Sequence, residues 1–263
     1  MKICDRIYSN FFRKSRYKLY DAMLKSAIER GYQFYTIKEF NSLLKQEGLN
    51  PRTKYAIIRH DVDTDPLTAY KLFLIENKYN IASTYYFRLN TINDKLIKKM
   101  LVEGNVEIAY HYEEIATYAK KHKIKSISEI ENDIEVIREI FLDNLKIFRQ
   151  RLGVASETVA SHGDFVNKYL GLLNLYLINN TVRKKGGIEL EAYDPFFMDN
   201  VTCRIADLGN IDGIWTPQGF YQSLEKEEPV LYILVHPRQW YSRILSNCKA
   251  DYIRGKEEIL YRL

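Results

Sequence analysis

Five histidines occur in 263 residues, and four of them close an apolar, strand-like run. His60, with Asp61 and Asp63 in RHDVD, follows Tyr55–Arg59; His111 follows Val106–Tyr110; His162 follows Glu157–Ser161; His236 follows Val230–Val235. Side chains alternate along a strand, so Asp61 and Asp63 share one side and His60 and Val62 the other. Two carboxylates about 7 Å apart on one face repel unless a cation or proton lies between them. A cation removes that penalty: one aspartate binds it and the other stays free as a base. An aspartate with two histidines, here His111 and His162, is a common ligand set for Zn²⁺, Co²⁺ or Ni²⁺ that leaves positions open for water. His236, in LVHP, is projected by the strand end and the proline that follows. An imidazole near its ordinary pKa of ~6.5 can donate a proton to a leaving amine. The competing readings are structural. The aspartate pair can cap a helix at Pro66 or bind Arg59, and His236 can be a buried imidazole on a backbone carbonyl. His122, in KKHKIK, reads as a solvated residue at a helix end.

These residues need a scaffold that brings strand ends together. Tyr20, Met23, Leu24, Ala27 and Ile28 make one apolar helix face, closed by Gly31. YQFYTI is a possible strand, and a short helix follows near Ile37–Gln46. From residue 55 strands and helices alternate. Tyr55–Arg59, Ile81–Phe87, Val106–Tyr110, Glu157–Ser161 and Val230–Val235 read as strands, with weaker candidates at Ile188–Tyr193, Thr202–Asp207 and Gly213–Thr216. Helices are expected from Pro66 to about Lys78, over Asn93–Glu103, over Glu113–Lys121, over 128–148 with a capping box at Ser128 and Glu131, and near Asn167–Leu177. The almost wholly apolar Val230–Val235 predicts a strand covered on both faces. The pattern predicts an α/β protein: a distorted (β/α) barrel of about seven parallel strands (51–263) with an N-terminal helical extension (1–50) packed on it. In such a barrel the strand C-termini share one face, where sites form.

Composition narrows the function classes. Hydrophobic residues are 46% and charged residues 28%, which excludes a disordered or collagen-like chain. No apolar run is long enough for a membrane span. The start has no apolar core or small-residue cleavage site of a secretory signal, so a cytoplasmic location is expected. Cys4, Cys203 and Cys248 lie too far apart for a cysteine-rich zinc site, and they fit a reducing compartment. The net charge of +5 is uneven: residues 1–60 carry +8 and the remainder −3. A basic front end suits an anionic partner such as a pyrophosphate or a membrane surface, or else is only a solvated helix face. No nucleic-acid motif is present.

The order RHDVD, YHYEE, SHGD, LVHP over roughly residues 55–240 resembles the carbohydrate esterase family 4 polysaccharide deacetylases, in particular their branch with a D-x-D first motif. IENKYNIASTYYF and the Asp207–Trp215 stretch add to the likeness. The resemblance implies a distorted barrel and metal-dependent removal of an N-acetyl, less often an O-acetyl, group from a sugar. By position it makes Asp61 the catalytic base, Asp63 and His111 metal ligands and His236 the catalytic acid. The family's second motif histidine would fall at Ile115, and its third-motif arginine is absent from ASHGD. His162 is expected to replace the missing ligand, with Glu113 or Glu114 as fallback. Arg59 and Arg238 are candidates to orient Asp61 and His236 or to bind phosphate. Trp215, Trp240 and Tyr86 are candidate sugar-stacking surfaces, with core packing the competing reading for each. The expected partner is an acetylated sugar, as a nucleotide-sugar or a lipid-linked glycan precursor, with peripheral membrane contact. Two other classes compete. A D-x-D glycosyltransferase would need a nucleotide-binding half before Asp61. A catalytically silent glycan- or protein-binding relative would explain Ile115.

Overall fold

The computed structural model describes residues 11–207 and 216–263. Its centre is β2 (Lys54–Val62), whose apolar YAII run leads into Arg59, His60 and Asp61. The other strands are β1 (Tyr32–Tyr35), β3 (Ser83–Phe87), β4 (Val106–Tyr112), β5 (Thr158–Ser161), β6 (Leu190–Glu191), β7 (Cys203–Ala206) and β8 (Val230–Val235). All pairings are parallel, in the order β6-β5-β4-β3-β2-β8-β7. One edge of β2 is shared: β1 pairs with Lys54–Ile57 and β3 with Arg59–Val62, while β8 runs along the other edge. The fold class is the distorted (β/α) barrel, a curled sheet wrapped by helices.

Alternation divides each strand between two cores. The inner row of β2 carries Tyr55, Ile57, Arg59 and Asp61. Tyr55 and Ile57 pack with Tyr86, Ala109, Ala160 and Tyr232 from neighbouring strands. The outer row, Ala56 and Ile58, packs under the helix Tyr17–Glu29, and Val62 joins the cluster beneath the long helix Ile134–Leu152. His60 also points outward. Its Nε2 lies 2.6 Å from Glu76 Oε1, its ring stacks on Tyr85 at 4.0 Å, and the Tyr20 hydroxyl donates to the same carboxylate. His60 is therefore part of a buried polar knot that ties the N-terminal helix to the barrel.

Local signals explain the helix starts. Asp65 accepts from Thr68 N and Pro66 occupies the first turn of Pro66–Asn77. Thr36 with Glu39 and Asp164 with Asn167 form capping boxes. The long helix ends at Gly153, whose φ of 68° only glycine adopts without strain.

Several expectations change. The helix expected over 128–148 is two, Ile127–Asn132 and Ile134–Leu152, broken at Asp133. Its capping box is Ser126 with Glu129, because SISEIE offers the Ser-x-x-Glu pattern in two registers and the earlier one takes the helix start. The helix near Asn167–Leu177 is Phe165–Leu170 followed by a 3₁₀ turn at Asn174–Leu177. Ile188–Tyr193 shrinks to β6, which pairs with Thr158–Val159 and ends in a turn where the Asp194 amide donates to the Glu191 carbonyl. The first fifty residues contribute β1 to the sheet as well as helices. The strand expected at Gly213–Thr216 lies outside the described residues except for Thr216. The final helix, Ile244–Arg262, has no counterpart among the expected elements. Among the described residues no helix is long and apolar enough to cross a membrane.

Candidate active site

Asp63 lies one residue beyond β2, His111 near the end of β4, and His162 one residue beyond β5. The parallel sheet brings these ends together. Asp63 Oδ1 is 3.1 Å from His111 Nε2 and 2.9 Å from His162 Nδ1, and those two nitrogens are 3.3 Å apart. Together they are a group able to hold a metal ion. The donor chemistry fits one. His111 Nδ1 lies 2.9 Å from the Ala160 carbonyl, which accepts its proton and leaves the Nε2 lone pair facing Asp63. Desolvation raises the Asp63 carboxyl, but charge on the facing His162 and His111 imidazoles outweighs it and holds the group well below its ordinary value; a cation among the three would take the place of that charge. A cation is the species that lone pairs from three converging ligand atoms accommodate at these separations. Glu113 is clamped by Arg88 at 2.6 and 2.7 Å. Glu114 is buried against Tyr110 and Asn144, 2.5 and 3.0 Å away. Both fallback carboxylates thus have partners of their own.

Asp61 stands beside this group, with Oδ2 3.7 Å from His111 Nε2. Arg59, two residues earlier on the same strand face, grips it through two bonds of 2.7 and 2.8 Å. The guanidinium also donates to the Tyr232 hydroxyl and stacks 4.5 Å from the Tyr193 ring. Burial raises the Asp61 carboxyl, yet Arg59, then His111 and His236, bring it below the ordinary value. Asp61 is therefore ionised at neutral pH and can accept a proton.

His236 follows β8. Its Nδ1 is 2.8 Å from Asp207 Oδ1, and its backbone N–H donates to Asp207 Oδ2 at 2.7 Å. Trp240 Nε1 donates to that same oxygen at 2.7 Å. Burial lowers the imidazole, but Asp207 and, more weakly, Asp63 and Asp61 raise it to about 9. With Nδ1 held by Asp207, Nε2 is the nitrogen left to hand over a proton. Asp207→Asn removes the largest raising charge. The alkaline limb of kcat/KM is expected to fall from near 9 toward the ordinary ~6.5. An unchanged pH profile would remove His236 from the acid role.

The structure corrects two expected substrate contacts. Arg59 is 0% exposed and engaged on all sides, so it orients Asp61 and does not reach a ligand. Trp240 is 1% exposed, packs edge-on against Tyr20 at 4.9 Å and serves Asp207, so it offers no face to a sugar. Tyr86 is likewise buried, its hydroxyl 2.9 Å from Thr158. Arg238 pairs with Asp251 at 2.8 Å. Trp215 lies outside the described residues.

Two contributors had no assigned role in the sequence reading. Asp207 was visible only as the start of a family-like stretch; its pairing with His236 is 29 residues distant. Glu191 accepts from the Ser161 and Tyr193 amides, and burial pushes it up to about 7 despite them. It thereby fixes the backbone just before His162 and holds Tyr193 over Arg59. The alternating IELEAY run carries two acids, Glu189 and Glu191, and nothing in that pattern separates the exposed first from the buried second.

No protein-family model matches the chain, and no curated protein matches it. Solved structures resemble it, among them the following two. The Streptococcus pyogenes deacetylase PplD, in complex with acetate, aligns over 85% of this chain and 84% of its own at 13% identity, with a TM-score of 0.46. IcaB from Ammonifex degensii aligns over 83% of this chain and 93% of its own, also at 13% identity, with a TM-score of 0.51. The likeness to IcaB, at that identity, concerns the fold alone: this chain shares the fold of IcaB.

Proposed function

We propose that the chain is a metal-dependent hydrolase that removes an acetyl group, in the first place an N-acetyl group, from a sugar. A fold hosts many chemistries, so the reading rests on the site. One observation carries it: Asp63, His111 and His162 converge within 3.3 Å of one another, flanked by an arginine-held carboxylate and an aspartate-held imidazole.

A divalent cation on Asp63, His111 and His162, with zinc the first choice and cobalt or nickel alternatives, would supply Lewis acidity toward the acetyl carbonyl and an attacking water. Asp61 takes a proton from the water as its oxygen bonds to the acetyl carbon. Arg59 keeps that carboxylate aimed while its charge changes. His236 gives its proton to the amine nitrogen as the C–N bond breaks, and Asp207 stabilises the imidazolium before the transfer. The products are acetate and a free amino sugar. As substrate we favour the acetylated sugar of a surface-glycan precursor, a nucleotide-sugar or a lipid-linked glycan, met in the cytoplasm.

The test is to incubate metal-loaded protein with an N-acetylated amino-sugar oligomer and assay acetate and free amine together. Equal amounts of both, lost on chelation, are expected. Acetate without amine would shift the reaction to an O-acetyl ester. Absence of both, with hydrolysis of a nucleotide-sugar instead, would overturn the reading in favour of a glycosyltransferase.

A further inference from the structure

We infer that the outer face of the C-terminal helix, Ile244–Arg262, together with the chain just after it, is a docking surface for an anionic lipid bilayer. At 3.6 residues per turn, Leu245, Lys249, Tyr252, Lys256, Ile259 and Leu263 fall within an arc of roughly 80°. All six are exposed, Leu245 by 87% and Tyr252 by 73%. A helix in a soluble protein normally turns its apolar stripe inward. Here Asn247 and Tyr261 face the protein instead. The acids of the helix lie away from the outer arc, each in an ion pair: Asp251 with Arg238, Glu257 with Lys120 and Glu258 with Arg262. The outer arc holds apolar side chains and two lysines and no acidic side chain, the pattern of a helix lying in a membrane interface. A second copy of the same face would bring lysines opposite lysines with no acid to answer them, so charge favours phospholipid over self-association.

A separate segment extends the surface. Arg16 N donates to the Trp240 carbonyl at 2.9 Å, and the Tyr17 and Tyr241 rings stack at 5.8 Å. These contacts bring exposed Phe12 and Lys14 to the end where the helix begins. The helix is also pinned to the loops that carry the metal-ligand candidates. Arg243, at its start, lies 3.3 Å from Asp65, two residues past Asp63. Lys120 bridges Asp164, two residues past His162, to Glu257 near its end. A bilayer on this helix would therefore lie along the strand-end side of the barrel.

The experiment is co-sedimentation of the full chain with vesicles of phosphatidylcholine alone or mixed with phosphatidylglycerol. The native protein is expected to bind the mixed vesicles at least about thirtyfold more tightly. Lys249→Gln with Lys256→Gln should weaken that binding about thirtyfold and leave the weak neutral-vesicle binding unchanged. Leu245→Ser with Tyr252→Ser and Ile259→Ser should abolish both. All five side chains are exposed, so native circular dichroism and an unchanged melting midpoint are expected in both variants; the lysine variant serves alone if the other melts early. Native protein that ignores the mixed vesicles overturns the inference, as does equal binding by the lysine variant. A dimer that the serine variant dissociates, with no vesicle binding by the native chain, assigns the face to a second copy and also overturns it. Lipid binding is read without turnover, so its failure is separate from failure of the acetate assay.

Discussion

Asp63→Ala is expected to strip the protein of its cation and to lower acetate release at least about a thousandfold. Asp63 is the hub of the group: its Oδ1 lies 3.1 Å from one imidazole and 2.9 Å from the other. It is also the ligand whose negative charge offsets the cation's. Without it two neutral imidazoles remain, a weak site for zinc at neutral pH. A Lewis acid is worth several kcal/mol to the transition state, and each ~1.4 kcal/mol is tenfold in rate. Metal analysis after gel filtration, beside the acetate assay, reads both effects. His162→Ala should behave in the same direction, because His162 Nδ1 lies 2.9 Å from Asp63 Oδ1 and 3.3 Å from His111 Nε2. Full metal content and full activity in His162→Ala would remove His162 from the ligand set.

Asp61→Asn separates the base from the ligands. The variant is expected to keep its metal and lose turnover by roughly 10²–10⁴, the usual share of a general base. The change also leaves the buried Arg59 cation facing a neutral amide. Breaking a buried ion pair costs on the order of 3 kcal/mol of stability, so the melting midpoint should fall as well. Rates are therefore to be measured well below that midpoint. Because Arg59 and the two histidines hold the Asp61 carboxyl below its ordinary value, the acid limb of the native pH profile should lie below the normal carboxylate range. Asparagine at 61 with native turnover would transfer the base role elsewhere.

The chemistry was legible where it depended on strand alternation. RHDVD places two carboxylates on one face of an apolar strand, and histidines after other apolar runs share that face in a parallel sheet. Arg59 obeys the same rule, sitting two residues before Asp61, but the strand pattern does not say that its guanidinium folds back onto the carboxylate instead of reaching a ligand. Asp207 and Trp240 were less legible, because their roles arise from tertiary contacts 29 and 33 residues away. Ser126 and Ser128 each satisfy the capping pattern, and local sequence does not choose between them. The C-terminal helix escaped notice for a related reason. Its apolar spacing faces outward, so the periodicity that marks a core-facing helix has no core to match.

X-ray absorption at the zinc edge of the loaded protein tests the central claim most directly, since it reads the atoms bound to the cation. Two imidazole nitrogens with oxygen neighbours are predicted, falling to one imidazole in the reduced amount of zinc that His162→Ala retains. A first coordination sphere with sulfur, or one without imidazole, would contradict the account.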